Sequence, residues 1–105
     1  MEKIVNGYLQ FKESGFKDRK DLFEKLSNSQ NPEVLFITCS DSRIDPNLIT
    51  QTEPGDLFVI RNAGNIVPPH TVESDGIVAS IEFAVVALGV KHIVVCGHSN
   101  CGAMK

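Results

Sequence analysis

Val34-Leu35-Phe36-Ile37-Thr38 runs without interruption into Cys39-Ser40-Asp41-Ser42-Arg43, and that junction decides the fold. Five consecutive strand formers, almost all apolar, predict a strand buried on both faces, as in a parallel sheet. Two later runs have the same character. Leu57-Phe58-Val59-Ile60 reads as a second buried strand, and His92-Ile93-Val94-Val95-Cys96 as a third, ending at Gly97-His98-Ser99-Asn100-Cys101. Asp45-Pro46 places an N-cap before a proline at the first helical position, opening a short helix through Ile49. Residues 76–88 are apolar nearly all round. They predict a helix covered on both sides, the second side by another subunit, with Gly89 as its stop. Strands alternating with helices imply an α/β fold, a parallel sheet flanked by helices.

Nearer the N-terminus, Ile4, Tyr8 and Phe11 recur at helical spacing until Gly15 breaks the pattern. Asp18 then caps a second helix whose apolar stripe is Leu22, Phe23 and Leu26, and residues 27–32 form a loop. Glu53-Pro54-Gly55-Asp56 is a turn. Residues 61–75, from Arg61-Asn62-Ala63-Gly64-Asn65 through Pro68-Pro69, form a loop long enough in so small a chain to point to function.

Bulk properties set the limits. With 105 residues there is room for one domain with a modest core. A net charge of −3 gives no argument for a nucleic-acid surface. No apolar run is long enough to span a bilayer, and Met1-Glu2-Lys3-Ile4 lacks the layout of a secretory signal. Three cysteines are an odd number for a disulfide framework, so reduced thiols in a cytoplasm are the simpler reading.

Ligands in open α/β sheets bind beyond the C-terminal ends of the strands, where Cys39 and His98 both fall. Cys39, His98 and Cys101, with Asp41 between them in sequence, offer two thiolates, an imidazole and a carboxylate, a suitable set for one zinc ion per chain. The fourth position belongs either to Asp41, which closes the site, or to water, if Arg43 captures the Asp41 carboxylate in a paired contact. A purely structural site has no use for a cation that competes for one of its ligands, so Arg43 argues for catalysis. The rival is a non-catalytic structural or regulatory zinc fragment; such sites usually offer Cys-x-x-Cys knuckles, and there are none here. Cys96, inside a strand, reads as a small core residue. Gly97-x-x-x-x-Gly102 has half of a phosphate-binding loop's spacing, but Ala103-Met104 stands where Lys and Ser or Thr are required.

Cys39-x-Asp41-Ser42-Arg43 followed by His98-x-x-Cys101, with residues 55–65 and 96–102 around them, resembles the β-class carbonic anhydrases over almost the whole chain. The resemblance implies zinc-dependent interconversion of carbon dioxide and bicarbonate by a homodimer or higher homo-oligomer. It implies Cys39, His98 and Cys101 as zinc ligands, Asp41 as the ligand of a closed state, and Asp41 with Arg43 as the gating and orienting pair. Gln30 matches a glutamine that hydrogen-bonds substrate in a dimer-interface cleft, Phe58 and Phe83 match the apolar carbon dioxide pocket, and the Gly102 N–H matches a group close to it. His70 is either an exporter of the released proton or an exposed loop residue. Phe83 stands where some members carry Tyr, and Phe36 where some carry a Trp of a bicarbonate effector pocket. Family members continue past the His-x-x-Cys cluster. The resemblance therefore implies a single domain, residues 1–105, lacking the family's C-terminal part, with apolar surface and a strand edge exposed and activity weakened.

Overall fold

The computed structural model describes residues 1–67 and 76–104, and the chain divides into two compact units, Met1–Gln30 and Asn31–Lys105. Among the described residues no helix is long and apolar enough to cross a membrane.

The first unit is helical. α1 (Glu2–Gln10) continues through a π-helical turn, Phe11–Gly15, into α2 (Phe16–Asp18), and α3 (Lys20–Asn28) comes next. The break expected at Gly15 is not there. Gly15 keeps helical angles (φ −58, ψ −42), and the backbone turns instead at Arg19 (φ −119, ψ 30), so Asp18 ends one helix rather than capping the next. Glycine inside a helix costs about 1 kcal/mol relative to alanine. Here aromatic packing offsets it: a Cβ on Gly15 would lie 3.1 Å from the Phe11 ring. That ring meets Phe16 and Phe23 edge-on at 6.0 and 5.7 Å, and Phe16 stacks on Phe23 at 5.2 Å.

The second unit is built on three parallel strands, β1 (Val34–Thr38), β2 (Leu57–Arg61) and β3 (His92–Cys96), in the order β2-β1-β3. The central position of β1 explains why Leu35, Phe36, Ile37 and Thr38 are all buried, as its unbroken apolar run predicts. β2 is only half-buried, with Ile60 alone fully covered, because it forms one edge of the sheet. Among the described residues β3 pairs on one side only, with β1, and Ile93 and Val95 are each 54% exposed. Cys96, expected in the core, is half-buried at the end of this edge strand.

α4 (Pro46–Thr50) starts as its sequence dictates: the Asp45 carboxylate accepts from the Leu48 N–H at 3.2 Å and Pro46 takes the first turn. α5 (Gly76–Glu82) runs into a π-helical turn, Phe83–Ala87, and stops at Gly89, whose φ of +63 is the left-handed conformation expected there. Ala84 joins Leu35, Ile37 and Ile60 in the core, with Phe58, Ile77, Ile81 and Val90 packed around them. Among the described residues, only one side of this helical segment is covered within the chain. Val86 is 83% exposed, so the second face, expected against another subunit, is open within this chain.

Register sets up the site. Thr38 pairs with Arg61 on one side and Cys96 on the other, so the three strands end in step. Asn62 N–H donates to the Thr38 carbonyl at 2.9 Å, and the Thr38 hydroxyl donates to the Cys96 carbonyl at 2.9 Å. Cys39, Asn62 and Gly97, each the first residue past its strand, therefore emerge along one edge.

Candidate metal centre

Cys39 leaves β1 and His98 lies two residues past β3. Cys101 precedes a 3-10 turn, Gly102–Met104, whose Met104 N–H donates to the Cys101 carbonyl at 3.2 Å. Their ligand atoms all lie within 4.8 Å of one another. The two sulfurs are 3.8 Å apart. A disulfide needs about 2.05 Å, so they are separate thiols. Thiolates each at about 2.3 Å from a tetrahedral zinc ion stand about 3.8 Å from one another, so the spacing fits the ion. His98 supplies a second test of fit. Its Nδ1 lies 2.9 Å from the Ser99 carbonyl, which only accepts, so the neutral ring carries its proton on Nδ1 and offers the Nε2 lone pair. Nε2 is buried with no hydrogen-bond partner. Two thiols and an orphaned imidazole nitrogen converging on one point are a donor set suited to zinc.

Asp41 stands beside this group but is engaged elsewhere. Arg43 donates to Asp41 Oδ1 from its backbone N–H and its Nε, both at 2.9 Å, and to Oδ2 from Nη2 at 2.6 Å. The same Nη2 reaches the Asn100 carbonyl at 3.0 Å, bridging the two sequence clusters. Asp41 Oδ2 is 3.7 Å from His98 Nε2. Of the two arrangements open at the sequence level, the structure has the carboxylate on Arg43. That guanidinium holds the Asp41 carboxyl well below the usual carboxylate range.

The loop after β2 completes the surroundings. Gly64 N–H donates to Cys39 Sγ at 3.2 Å. Chiefly through this bond, helped by His98, the Cys39 thiol is lowered to about 6. The Cys39 sulfur in turn raises the His98 pKa. Gly64 has a φ of +78, and a Cβ there would lie 3.0 Å from Met104 Sδ, so the position favours glycine and strains any side chain. Arg61 Nε donates to the Cys39 carbonyl at 3.0 Å. Neither Arg61 nor Gly64 stands out in the sequence as a site residue. The one signal was their place in a long loop directly after a strand end.

Among the remaining residues named from the sequence, Phe58 lies apart from this cluster. Phe58 pairs with Leu35 across β1 and β2, about 13 Å along the strand from Cys39 at 3.3 Å per residue. It meets Phe83 at 5.8 Å, ring to ring, and lines an open groove with Ile77 and Ser80. Gly102 opens the turn after Cys101. Gln30 belongs to the first unit and is exposed. His70 lies outside the described residues.

A parallel sheet carrying two cysteines and a histidine at its C-terminal edge defines an α/β protein with a cluster that could hold a metal ion. Comparison with known proteins makes this specific. The family model described as carbonic anhydrase matches residues 34–105. A carbonic anhydrase from Synechocystis sp. is 58% identical over 105 residues, covering 100% of this chain and 38% of that protein. Among solved structures, the β-carbonic anhydrase CcaA is similar with a TM-score of 0.95 at 58% identity, over 99% of this chain and 50% of that one. A tetrameric β-carbonic anhydrase from Sordaria macrospora has a TM-score of 0.85 at 42% identity, over 96% and 50% of the two chains. The chain belongs to the β-class carbonic anhydrase family. It spans half or less of the length of each of these relatives.

Proposed function

We propose that this chain carries the zinc site of an enzyme that reversibly hydrates carbon dioxide to bicarbonate and a proton. The observation that carries the reading is the convergence of Cys39, His98 and Cys101 while Arg43 draws Asp41 aside. These three side chains would hold one zinc ion, which supplies the Lewis acidity that makes water a nucleophile near neutral pH. Asp41 stays ionised because Arg43 holds it, so its carboxylate is an acceptor and not a donor. It therefore orients the attacking water by accepting a hydrogen bond. Arg43 has two tasks: it keeps Asp41 off the fourth position, and it ties the first cluster to the second through Asn100.

Phe58 and Phe83 offer an apolar wall suited to an uncharged, apolar substrate. Their distance from the cluster of the same chain supports a site completed by a second copy, with Gln30 of the partner subunit as the polar contact to substrate and the Gly102 N–H close by. The exposed Phe83 and Val86 side chains support the same homodimer or larger assembly. Reduced ligand thiols suit a cytoplasmic location.

Stopped-flow hydration of carbon dioxide by the zinc-loaded chain tests the reading, with Cys39→Ala as control. Hydration above the uncatalysed rate that disappears in the control is the expected result. A parent chain that holds zinc and accelerates nothing contradicts it and favours the non-catalytic zinc fragment.

A further inference from the structure

We propose that Arg61 is a positioning residue for the metal-binding loop: its guanidinium fixes the backbone of residues 39–44 in the shape that brings Cys39 to His98 and Cys101. The inference rests on the metal-centre reading above and deepens it.

Three hydrogen bonds carry it. Arg61 Nε donates to the Cys39 carbonyl at 3.0 Å, and Nη2 donates to the carbonyls of Asp41 at 2.7 Å and Ile44 at 2.9 Å. The acceptors are spread over six residues that contain one ligand and the Asp41–Arg43 pair. The loop's own backbone turn, Ile44 N–H to the Asp41 carbonyl at 3.1 Å, shares an acceptor with Arg61, so the guanidinium locks that turn from outside. Arg61 is itself the last residue of β2, in register with Thr38, so the clamp is anchored on the sheet and not on another loop.

The chemistry requires arginine. Nε and Nη2 lie on one rigid edge of a planar group, so carbonyls bonded to both are fixed relative to each other. A lysine places all its donors on a single nitrogen at the end of a flexible stem and cannot impose that spacing. Arg43 does different work, since it acts on the Asp41 carboxylate and on Asn100. The two arginines thus hold the same loop by different groups, one by its side chain and the other by its backbone.

Arg61→Ala and Arg61→Lys, each loaded with Co2+, separate this role from a general one. Zn2+ affinity by chelator competition is expected to fall about 10- to 100-fold in both variants, the usual effect of losing a group that orients a metal ligand. The Co2+ ligand-field and thiolate-to-cobalt bands are expected to shift, with far-ultraviolet circular dichroism unchanged. Parent-like affinity and spectra in Arg61→Ala would overturn the proposal. Full recovery by Arg61→Lys would also overturn it, by showing that charge alone suffices. Loss of the dichroism signal in Arg61→Ala would make Arg61 a residue of the fold instead, and so overturn it too. A parent that binds no Co2+ defeats the metal-centre reading and this proposal together, whereas a parent that binds it beside unchanged variants defeats this proposal alone.

Discussion

Cys39 is disposed to be a thiolate before any metal arrives. The Gly64 N–H, with His98 beside it, stabilises the anion and holds its pKa at about 6 instead of 9.0. A depressed pKa contributes stability that is fully present above pH 9.0 and is lost as pH falls through about 6. His98 is raised and has the opposite sign: its contribution is present below its unfolded value of 6.5 and fades as pH rises through the folded one. The metal-free chain therefore favours a Cys39 thiolate beside a His98 imidazole whose protonated form that sulfur stabilises, and metal binding has to displace whatever protons the ligands still carry. Thiolate absorbance at 240 nm, parent minus Cys39→Ser, is expected to titrate with a midpoint near 6. A midpoint near 9 would show that the Gly64 and His98 contacts do not act on the sulfur. At Arg43 the expected effect is on turnover. Arg43→Ala frees the Asp41 carboxylate toward the metal, and hydration should fall about 10- to 100-fold with zinc retained. An unchanged rate would remove Arg43 from the gating role.

The elements differ in how openly the sequence declares them. β1 was legible because a central parallel strand needs an apolar residue at every position, and Val34 to Ile37 supply one. The α4 cap at Asp45-Pro46 and the stop at Gly89 were legible because each rests on local backbone chemistry. Gly15 misled because the helix around it is held by packing among Phe11, Phe16 and Phe23, a tertiary effect that overrides propensity. β2 misled because an apolar run gives no sign of whether its strand will be central or at an edge. In the site, the residues Cys39, His98 and Cys101 that come together were legible from residue type and spacing. The contacts from Arg61 and Gly64 were not, since Arg61 bonds backbone carbonyls and Gly64 bonds through its own N–H, which residue type does not reveal. Gly64→Ala tests that hidden part: the left-handed φ costs about 1–2 kcal/mol for an L side chain, and the added Cβ crowds Met104. Urea denaturation should show that loss, and an unchanged midpoint would mean that the 63–65 turn relaxes freely.

For the molecule as a whole, the chain leaves apolar surface that it does not cover itself. Val86 is 83% exposed, Phe83 47%, and Ile93 and Val95 54% each. Exposed apolar side chains in such number are the kind of surface that association covers, and the helix offers the first of them to test. Val86→Glu, beside the Phe83 wall, should shift the chain toward monomer in sedimentation velocity at concentrations where the parent associates. A monomeric parent, or a variant that associates as the parent does, would contradict assembly through this helix. The site itself is addressed most directly by zinc K-edge X-ray absorption on the zinc-loaded chain. Two sulfurs at about 2.3 Å with lighter nitrogen or oxygen neighbours at about 2.0–2.2 Å are expected if Cys39, Cys101 and His98 hold the ion. A shell without sulfur, or with three sulfurs once Cys96 is recruited, would contradict the centre described here.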